Sequence, residues 1–507
     1  MKGNGKRSTR GFGASPARVI PASCLALVLI MTGMRGVMAG KTAQPEFDVV
    51  ILGGRVMDPE SGLNAIRNVG IRDGKIQAVS TEPLHGKSSI DANGLVVAPG
   101  FIDLHAHGQD EENYSHYAMD GVTTALELEI GVADIDRFYS ERDGKALINF
   151  GASAGHVPLR MELMHDPSLG RSNVPSGDAA RKPATHEEIA ELKKGLEHGL
   201  ERGGLGVGLG IQYIPAASRY EILQMFEAAA RYHGTCFVHM RSIGAREPNN
   251  SLNALEEVIA ASVITGAPLH VVHITSMGLK ATPQLLAMIE GARAHGVDVT
   301  TECYPYSAAQ TDLASEVFSE GWQEAMGISY GDLQWTLTGE RLTAETFAKY
   351  RKIGGMVVIH SIPEEIVRLA ISSPLTMIAS DAYLHDGKGH PRAAGTFARV
   401  LGRYVREEKI LSLMEALKKM TLMPAQRLEK YAPAFANKGR IKVGADADIT
   451  VFDPATVIDK ATYEQPANYS AGIQYVLVNG VAVVEAGALK PGVHPGKGQR
   501  APIRSMK

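Results

Sequence analysis

Cysteine is scarce: the 507 residues hold three, Cys24, Cys236 and Cys303. So few cannot build a disulfide framework, and the core must hold without covalent staples. An excess of one charge is also lacking. The formal net charge is -3, which gives no electrostatic case for a nucleic-acid partner. Aromatic residues make up only 6%. There is no low-complexity tract and no repeat of the solenoid or propeller kind. No apolar run reaches the ~20 residues that span a bilayer. What is left is the composition of an ordinary soluble enzyme, long enough for one large core and a smaller domain.

The first forty residues differ from the rest. "MKGNGKRSTRGFGASPAR" is basic and free of acids, "ASCLALVLIMTGM" is a short apolar core, and "GVMAG" supplies small residues. That order predicts a secretory signal over residues 1–39, cleaved after Ala39. Cys24 precedes most of the apolar run, the wrong order for a lipoprotein signal. The expected mature chain is periplasmic or secreted, keeps only Cys236 and Cys303, and has no stable membrane anchor.

Both ends of the remaining chain read as short strands and tight turns. "FDVVILGGRVMD", "NVGIRDGKIQAVS" and "GLVVAPG" match in texture "KGRIKVGADADITVFD" and "GIQYVLVNGVAVVEAG", with Asp73-Gly74 and Asn93-Gly94 as turn signals. Residues 46–98 and 430–490 are therefore expected to form one composite β-sandwich domain. Between them, 99–429 alternates strand-like runs with amphipathic stretches such as "HEEIAELKKGLEHGL" and "RYEILQMFEAAARYHG". Eight strands are predicted, ending at His107, Glu129, Ala154, Gly210, His239, His273, Tyr304 and Asp381. Strands alternating with helices predict a (β/α)8 TIM-type barrel. A doubly wound sheet gives no special reason for polar residues to recur at strand ends.

Those ends carry the chemistry. In "APGFIDLHAHGQ" the histidines His105 and His107 are two apart and share one face of a strand. "TCFVHMR" ends in His239 and Arg241, "LHVVHITS" in His273, and "LTMIASDA" in Asp381. One such histidine is usually a satisfied core or surface group. Four with an aspartate, all at the catalytic face of a barrel, point to a divalent metal. In "TTALELEIG" Glu127 and Glu129 share a face, and carboxylates inside a barrel are costly unless paired or metal-bound. Glu129, nearer the mouth, is the expected bridging ligand; Glu127 either reaches the metal instead or braces the site.

Other candidates are set aside. His270 is an odd number of positions from His273 and is expected to face away. Cys236 and Cys303 are off-phase and read as small core residues. His116, His186, His198, His233 and His295 are expected in solvent. "GLGVGLG" without a partner helix is weak evidence for a phosphate loop.

These motifs resemble the amidohydrolase superfamily, and within it the N-acyl-D-amino-acid deacylase branch, most of all its D-glutamate deacylase members. The resemblance covers about 47–490 and rests on "PGFIDLHAHGQ", "DGVTTALELE", "VHMR", "VVHITS", "TTECYPY", "IASDA", "HPRAAGTFARVL", "TLMPAQRLEK" and "KGRIKVGADADITVFDP". It implies one or two Zn2+ ions on His105, His107, His239 and His273, with Glu129 bridging and Asp381 as a metal-linked acid/base. The branch usually has a cysteine after the second strand; here only Glu127, Glu129 and Ile130 stand there. The fourth strand also lacks the carboxylated lysine of other superfamily members, which favours a glutamate. The implied reaction is hydrolysis of N-acyl-D-amino acids, N-acyl-D-glutamate among them, to a carboxylic acid and a free D-amino acid. Arg241 and Arg392 are then candidates for the substrate carboxylate, Tyr304 for the oxyanion and Tyr213 for a pocket wall, while Gln310 departs from the branch pattern after "YPY". The competing expectations are a hydantoinase-like or isoaspartyl-dipeptidase-like hydrolase, and a catalytically silent barrel serving as a binding module.

Overall fold

The computed structural model describes residues 47–504. The expected signal segment, residues 1–39, lies outside the described residues. Eight strands form one all-parallel sheet in sequence order: Phe101–Asp103, Val122–Val132, Asn149–Gly155, Val207–Gly210, Cys236–His239, Leu269–Val271, Val299–Cys303 and Thr376–Ile378. Closure occurs just beyond the first and last strands, where Ala106 pairs with Ala382 and the Asp381 N–H donates to the His105 carbonyl at 2.8 Å. Buried Asp103 reinforces this seam by accepting from the N–H groups of His105 and Ser380. The barrel therefore closes at the level of its proposed chemistry.

The intervening helices have local causes. Thr185 and Glu188 form a reciprocal capping box on His186–Glu201, and Ser218 caps Arg219–Arg231. Ile189, Leu192, Leu196 and Leu200 then line one buried face of the first of these helices.

Both chain ends contribute to a second sheet. Phe47–Asp58 pairs with Leu63–Arg72 and Val96–Pro99, and Val96–Pro99 pairs with Ile449–Phe452, which continues to Ile473–Val478 and Val481–Glu485. Alternation assigns the two faces. Val56, Val97, Ile449 and Leu477 fill the sheet's own core. Met57, Val96, Ala98 and Val476 join the core shared with the barrel.

Between the seventh and eighth barrel strands the chain inserts a three-stranded antiparallel sheet, Ala309–Asp312, Leu333–Trp335 and Met356–Ile359, with the last strand central. Phe318, Trp322, Tyr330 and Phe347 pack around it as an aromatic cluster. This insert was not among the expected elements, and it walls the site.

Candidate metal centre

The second barrel strand is bulged. Its pairing with the third runs from Glu127–Ala152 directly to Val132–Ala154, so residues 128–131 oppose a single residue. Gly131 supplies the left-handed turn, φ +68°. The bulge leaves the Glu129 carboxylate among four imidazoles. Its Oε2 is 3.2 Å from Nε2 of His105 and 3.2 Å from Nε2 of His107. Its Oε1 is 2.6 Å from Nδ1 of His239 and 3.1 Å from Nε2 of His273.

The far nitrogen of each ring has its own acceptor. His105 Nδ1 donates to Glu302 at 2.6 Å and His107 Nδ1 to Glu127 at 2.8 Å. His239 Nε2 donates to the side-chain amide oxygen of Gln212, Oε1, at 2.8 Å. Ser276 donates its hydroxyl proton to the His273 carbonyl, so its oxygen accepts from His273 Nδ1 at 3.0 Å. In each neutral ring the nitrogen facing Glu129 is then a bare lone pair. Lone pairs aimed at a carboxylate repel unless a cation stands between them, either a proton or a metal ion.

The spacing fits a metal. Five of the six separations among His105 Nε2, His107 Nε2, Glu129 Oε2 and Asp381 Oδ1 are 3.1, 3.2, 3.2, 3.3 and 3.4 Å. The edge of a tetrahedron with ~2.05 Å bonds is about 3.3 Å. One donor each from His105, Glu129, His273 and Asp381 also falls within 4.8 Å of the others. Charge points the same way. Four carboxylates, of Glu127, Glu129, Glu302 and Asp381, converge on these rings, and Arg392 is the fixed cation paired among them, its Nη1 3.0 Å from Asp381 Oδ2.

Titration follows from burial and neighbours. Burial disfavours the charged form of His105 and His107, but the surrounding carboxylates outweigh it and raise both well above the usual histidine range. Burial would raise Glu129 and Asp381, yet His105 and its neighbours, with Arg392 for Asp381, hold both low. Glu302 is lowered to about 2 by the His105 and His270 imidazoles against its burial.

Backbone strain marks the site. His273 (φ +31°) and Asp381 (φ +52°) both occupy the left-handed region, just past their strands. The kink at His273 corrects the expectation for His270. Alternation ends before residue 273, so both rings face inward: His270 is buried, bonded to Glu302 at 3.0 Å and to Thr300 at 2.8 Å. Glu302 itself was not singled out in the sequence, although it is two residues before Tyr304 and in phase with it.

Of the proposed substrate contacts, Arg392, Tyr304 and Tyr213 are at the site. Arg392 is buried over the Tyr304 ring at 4.4 Å; its Nη1 faces Asp381 Oδ2 and its Nε has no hydrogen-bond acceptor. The buried Tyr304 hydroxyl has no partner either. Tyr213 accepts from Thr311 and packs on the His239 ring. Arg241 is a correction: its guanidinium forks onto Glu257 at 2.8 and 2.7 Å and donates to the Ala217 carbonyl, so it is already committed to structure. His116 is another, since both ring nitrogens bond to carbonyls of Glu112 and Ala467 instead of solvent. Cys236 and Cys303 are buried and free, as expected.

Three cavities meet here. A funnel of about 850 Å³ opens onto His107 and is lined by Arg171, Arg351, Lys352 and Lys388 among others. A narrow cleft carries His107, Glu129, Asp381, Arg392 and Tyr213. Beyond Tyr213 a third, small cavity is lined by His239, His273 and Asp381 at one end.

A family profile described as "Amidohydrolase family" matches residues 166–484. The chain is 31% identical over 487 residues to an N-acyl-D-glutamate deacylase of Alcaligenes xylosoxydans xylosoxydans, covering 87% of this chain and 94% of the relative. It is 30% identical over 506 residues to a D-aminoacylase of the same organism, covering 91% and 99%. Among solved structures it is similar to the N-acyl-D-glutamate deacylase of Bordetella bronchiseptica in complex with zinc and a phosphonate mimic of the tetrahedral intermediate. That likeness has a TM-score of 0.77 and 28% identity, over 90% of this chain and 100% of the other.

Proposed function

Because the chain belongs to the amidohydrolase family, we propose that it is a zinc-dependent deacylase that hydrolyses N-acyl-D-amino acids to a carboxylic acid and a free D-amino acid. The observation that carries this reading is the Glu129 carboxylate set between two pairs of imidazole lone pairs, with Asp381 beside them. His105, His107, Glu129 and Asp381 would hold one ion, and Glu129, His239 and His273 could hold a second. A divalent ion bound there acts as a Lewis acid toward water and toward the amide carbonyl.

The chain's own groups supply the rest. Asp381, kept ionised by Arg392 and the imidazoles against its burial, accepts the proton of the attacking water and returns it to the leaving amine nitrogen. The free Tyr304 hydroxyl donates to the developing oxyanion. Arg392 pairs with Asp381 through Nη1 but keeps a buried Nε–H that lacks an acceptor, which suits the substrate's α-carboxylate. Tyr213 forms the wall between the cleft and the inner cavity. The relative named N-acyl-D-glutamate deacylase acts on an N-acyl amino acid by name, which favours linear amides over the hydantoinase-like alternative. The test is metal analysis of purified protein together with amine release from N-acetyl D- and L-amino acids and from hydantoins. Zinc with D-selective release is expected; turnover confined to ring amides would overturn the reading.

We also propose export. The basic start, the short apolar core and "VMA" before Gly40 support a mature N-terminus near Gly40. Among the described residues no helix is long and apolar enough to cross a membrane. N-terminal sequencing from the native cell tests this: an intact Met1 form in the cytoplasm would exclude it.

A further inference from the structure

The cavities at the site have different chemistry, and that difference bears on the substrate. The inner cavity beyond Tyr213 is walled by Ile243, Met277, Ala309, Val317, Met326 and Ile359. Its other lining groups are neutral amides and hydroxyls, apart from His239, His273 and Asp381 at the metal end, and no lysine or arginine lines it. The outer funnel, by contrast, is lined by five lysines and arginines.

Resting on the deacylase reading, the geometry assigns the inner cavity to the side chain of the D-amino acid, and we propose that this side chain is apolar. The leaving half of the amide must reach Asp381 for its proton and Arg392 for its carboxylate. Asp381 lines both the cleft and the inner cavity and Arg392 lines the cleft, so the carboxylate stays in the cleft and the side chain faces the inner cavity. The funnel is lined by His107 but by neither Asp381 nor Arg392. The amino-acid half therefore extends inward and the acyl half extends toward the funnel. A side-chain carboxylate placed inward, away from the metal end, would meet apolar walls with no lysine or arginine to pair it.

Size narrows the class further. The inner cavity holds about 40 Å³, room for about three water molecules, which suits a side chain of roughly that many heavy atoms. Leucine and methionine derivatives fit this description better than tryptophan. The limit applies to one half of the substrate only, because the funnel leaves the acyl group open space.

The experiment is a kcat/KM panel on the zinc-loaded, full-length enzyme with N-acetyl-D-leucine, -D-methionine, -D-glutamate and -D-aspartate. The apolar pair should lead the acidic pair by at least about a hundredfold. Met326→Lys, which places a cation on the cavity wall, should raise activity on N-acetyl-D-glutamate while lowering it on N-acetyl-D-leucine. Glutamate turnover equal to or better than leucine in the unaltered enzyme overturns the assignment and leaves the deacylase reading intact. No release from any of the four overturns both.

Discussion

Glu302 Oε1 stands 2.6 Å from Nδ1 of His105, with both side chains buried, and the other Glu302 oxygen is held by His270. The contact fixes the proton on Nδ1 and points Nε2 at Glu129. Carboxylates behind ligating imidazoles typically account for 10- to 100-fold in metal affinity. Glu302→Gln should weaken zinc binding by about that factor, read by competition with a chromophoric chelator. Unchanged zinc affinity would reduce Glu302 to a packing role.

The two glutamates of the second strand should separate in the same assay. Glu129 touches all four rings, whereas Glu127 accepts only from His107 Nδ1 and, at 3.4 Å, from the Gly131 N–H. Glu129→Gln is expected to lose most of the metal. Glu127→Gln should weaken it by the smaller factor of a group that merely orients a ligand. The reverse order in metal content would exchange their roles.

How far the sequence carried this arrangement depends on where the backbone is regular. Period two brought His105 with His107 and Glu127 with Glu129, and strand ends brought in His239, His273 and Asp381. It misread His270, because the left-handed backbone at His273 resets the phase and no residue type there announces it. Glu302 was legible: it shares the face of Tyr304 in a strand already drawn. The Arg241–Glu257 pair was not, since it joins a strand end to the helix Ser251–Thr265 sixteen residues on. The insert was not legible either, because its three strands are each three or four residues long and too short to show a period.

Away from the metal, Asp120 sets a pH dependence of stability. It is buried, accepts from Ser470 Oγ and the N–H groups of Phe397 and Ala398, and is raised from 3.8 to about 7 by burial against those hydrogen bonds. Between those values the folded state binds more protons than the unfolded one. Its contribution is full below about pH 4 and is lost as pH rises through 7. At ~1.4 kcal/mol per unit the swing is on the order of 4 kcal/mol. Asp120→Asn lacks this swing, so the Tm of the native protein relative to the variant should fall from pH 4.5 to pH 8. Parallel Tm profiles would remove Asp120 from the account.

The funnel predicts a salt dependence. Of the five lysines and arginines that line it, Arg181 pairs with Glu316, whereas Arg171, Arg351, Lys352 and Lys388 form no ion pair with a carboxylate among the described residues and outnumber the two lining aspartates, Asp110 and Asp312. An N-acyl amino acid is an anion, and exposed cations around a cleft raise its local concentration until salt screens them. KM should rise a few-fold between roughly 0.05 and 0.5 M salt with kcat nearly constant. The double variant Lys352→Glu, Lys388→Glu should raise KM at low salt and flatten the dependence. A KM indifferent to salt in the native enzyme would show that the funnel does not steer substrate.

Asp381 separates binding from chemistry. One of its oxygens faces His105 and His107 at 3.3 and 3.4 Å; the other pairs with Arg392 at 3.0 Å. Asp381→Asn keeps the shape and one neutral oxygen donor but removes the proton acceptor. A positioned acid/base contributes ~100- to 10,000-fold, so kcat should fall by at least about the lower factor. The imidazoles and Glu129 should still retain most of the zinc, as measured on the same sample by elemental analysis. KM should also shift, because Arg392 loses its buried counter-charge and is then free to hold the substrate carboxylate more tightly. A variant with low kcat, near-normal zinc and a lowered KM is the expected result. Near-normal turnover would exclude Asp381 as the proton carrier, and an inactive, zinc-free protein would make it a ligand before anything else.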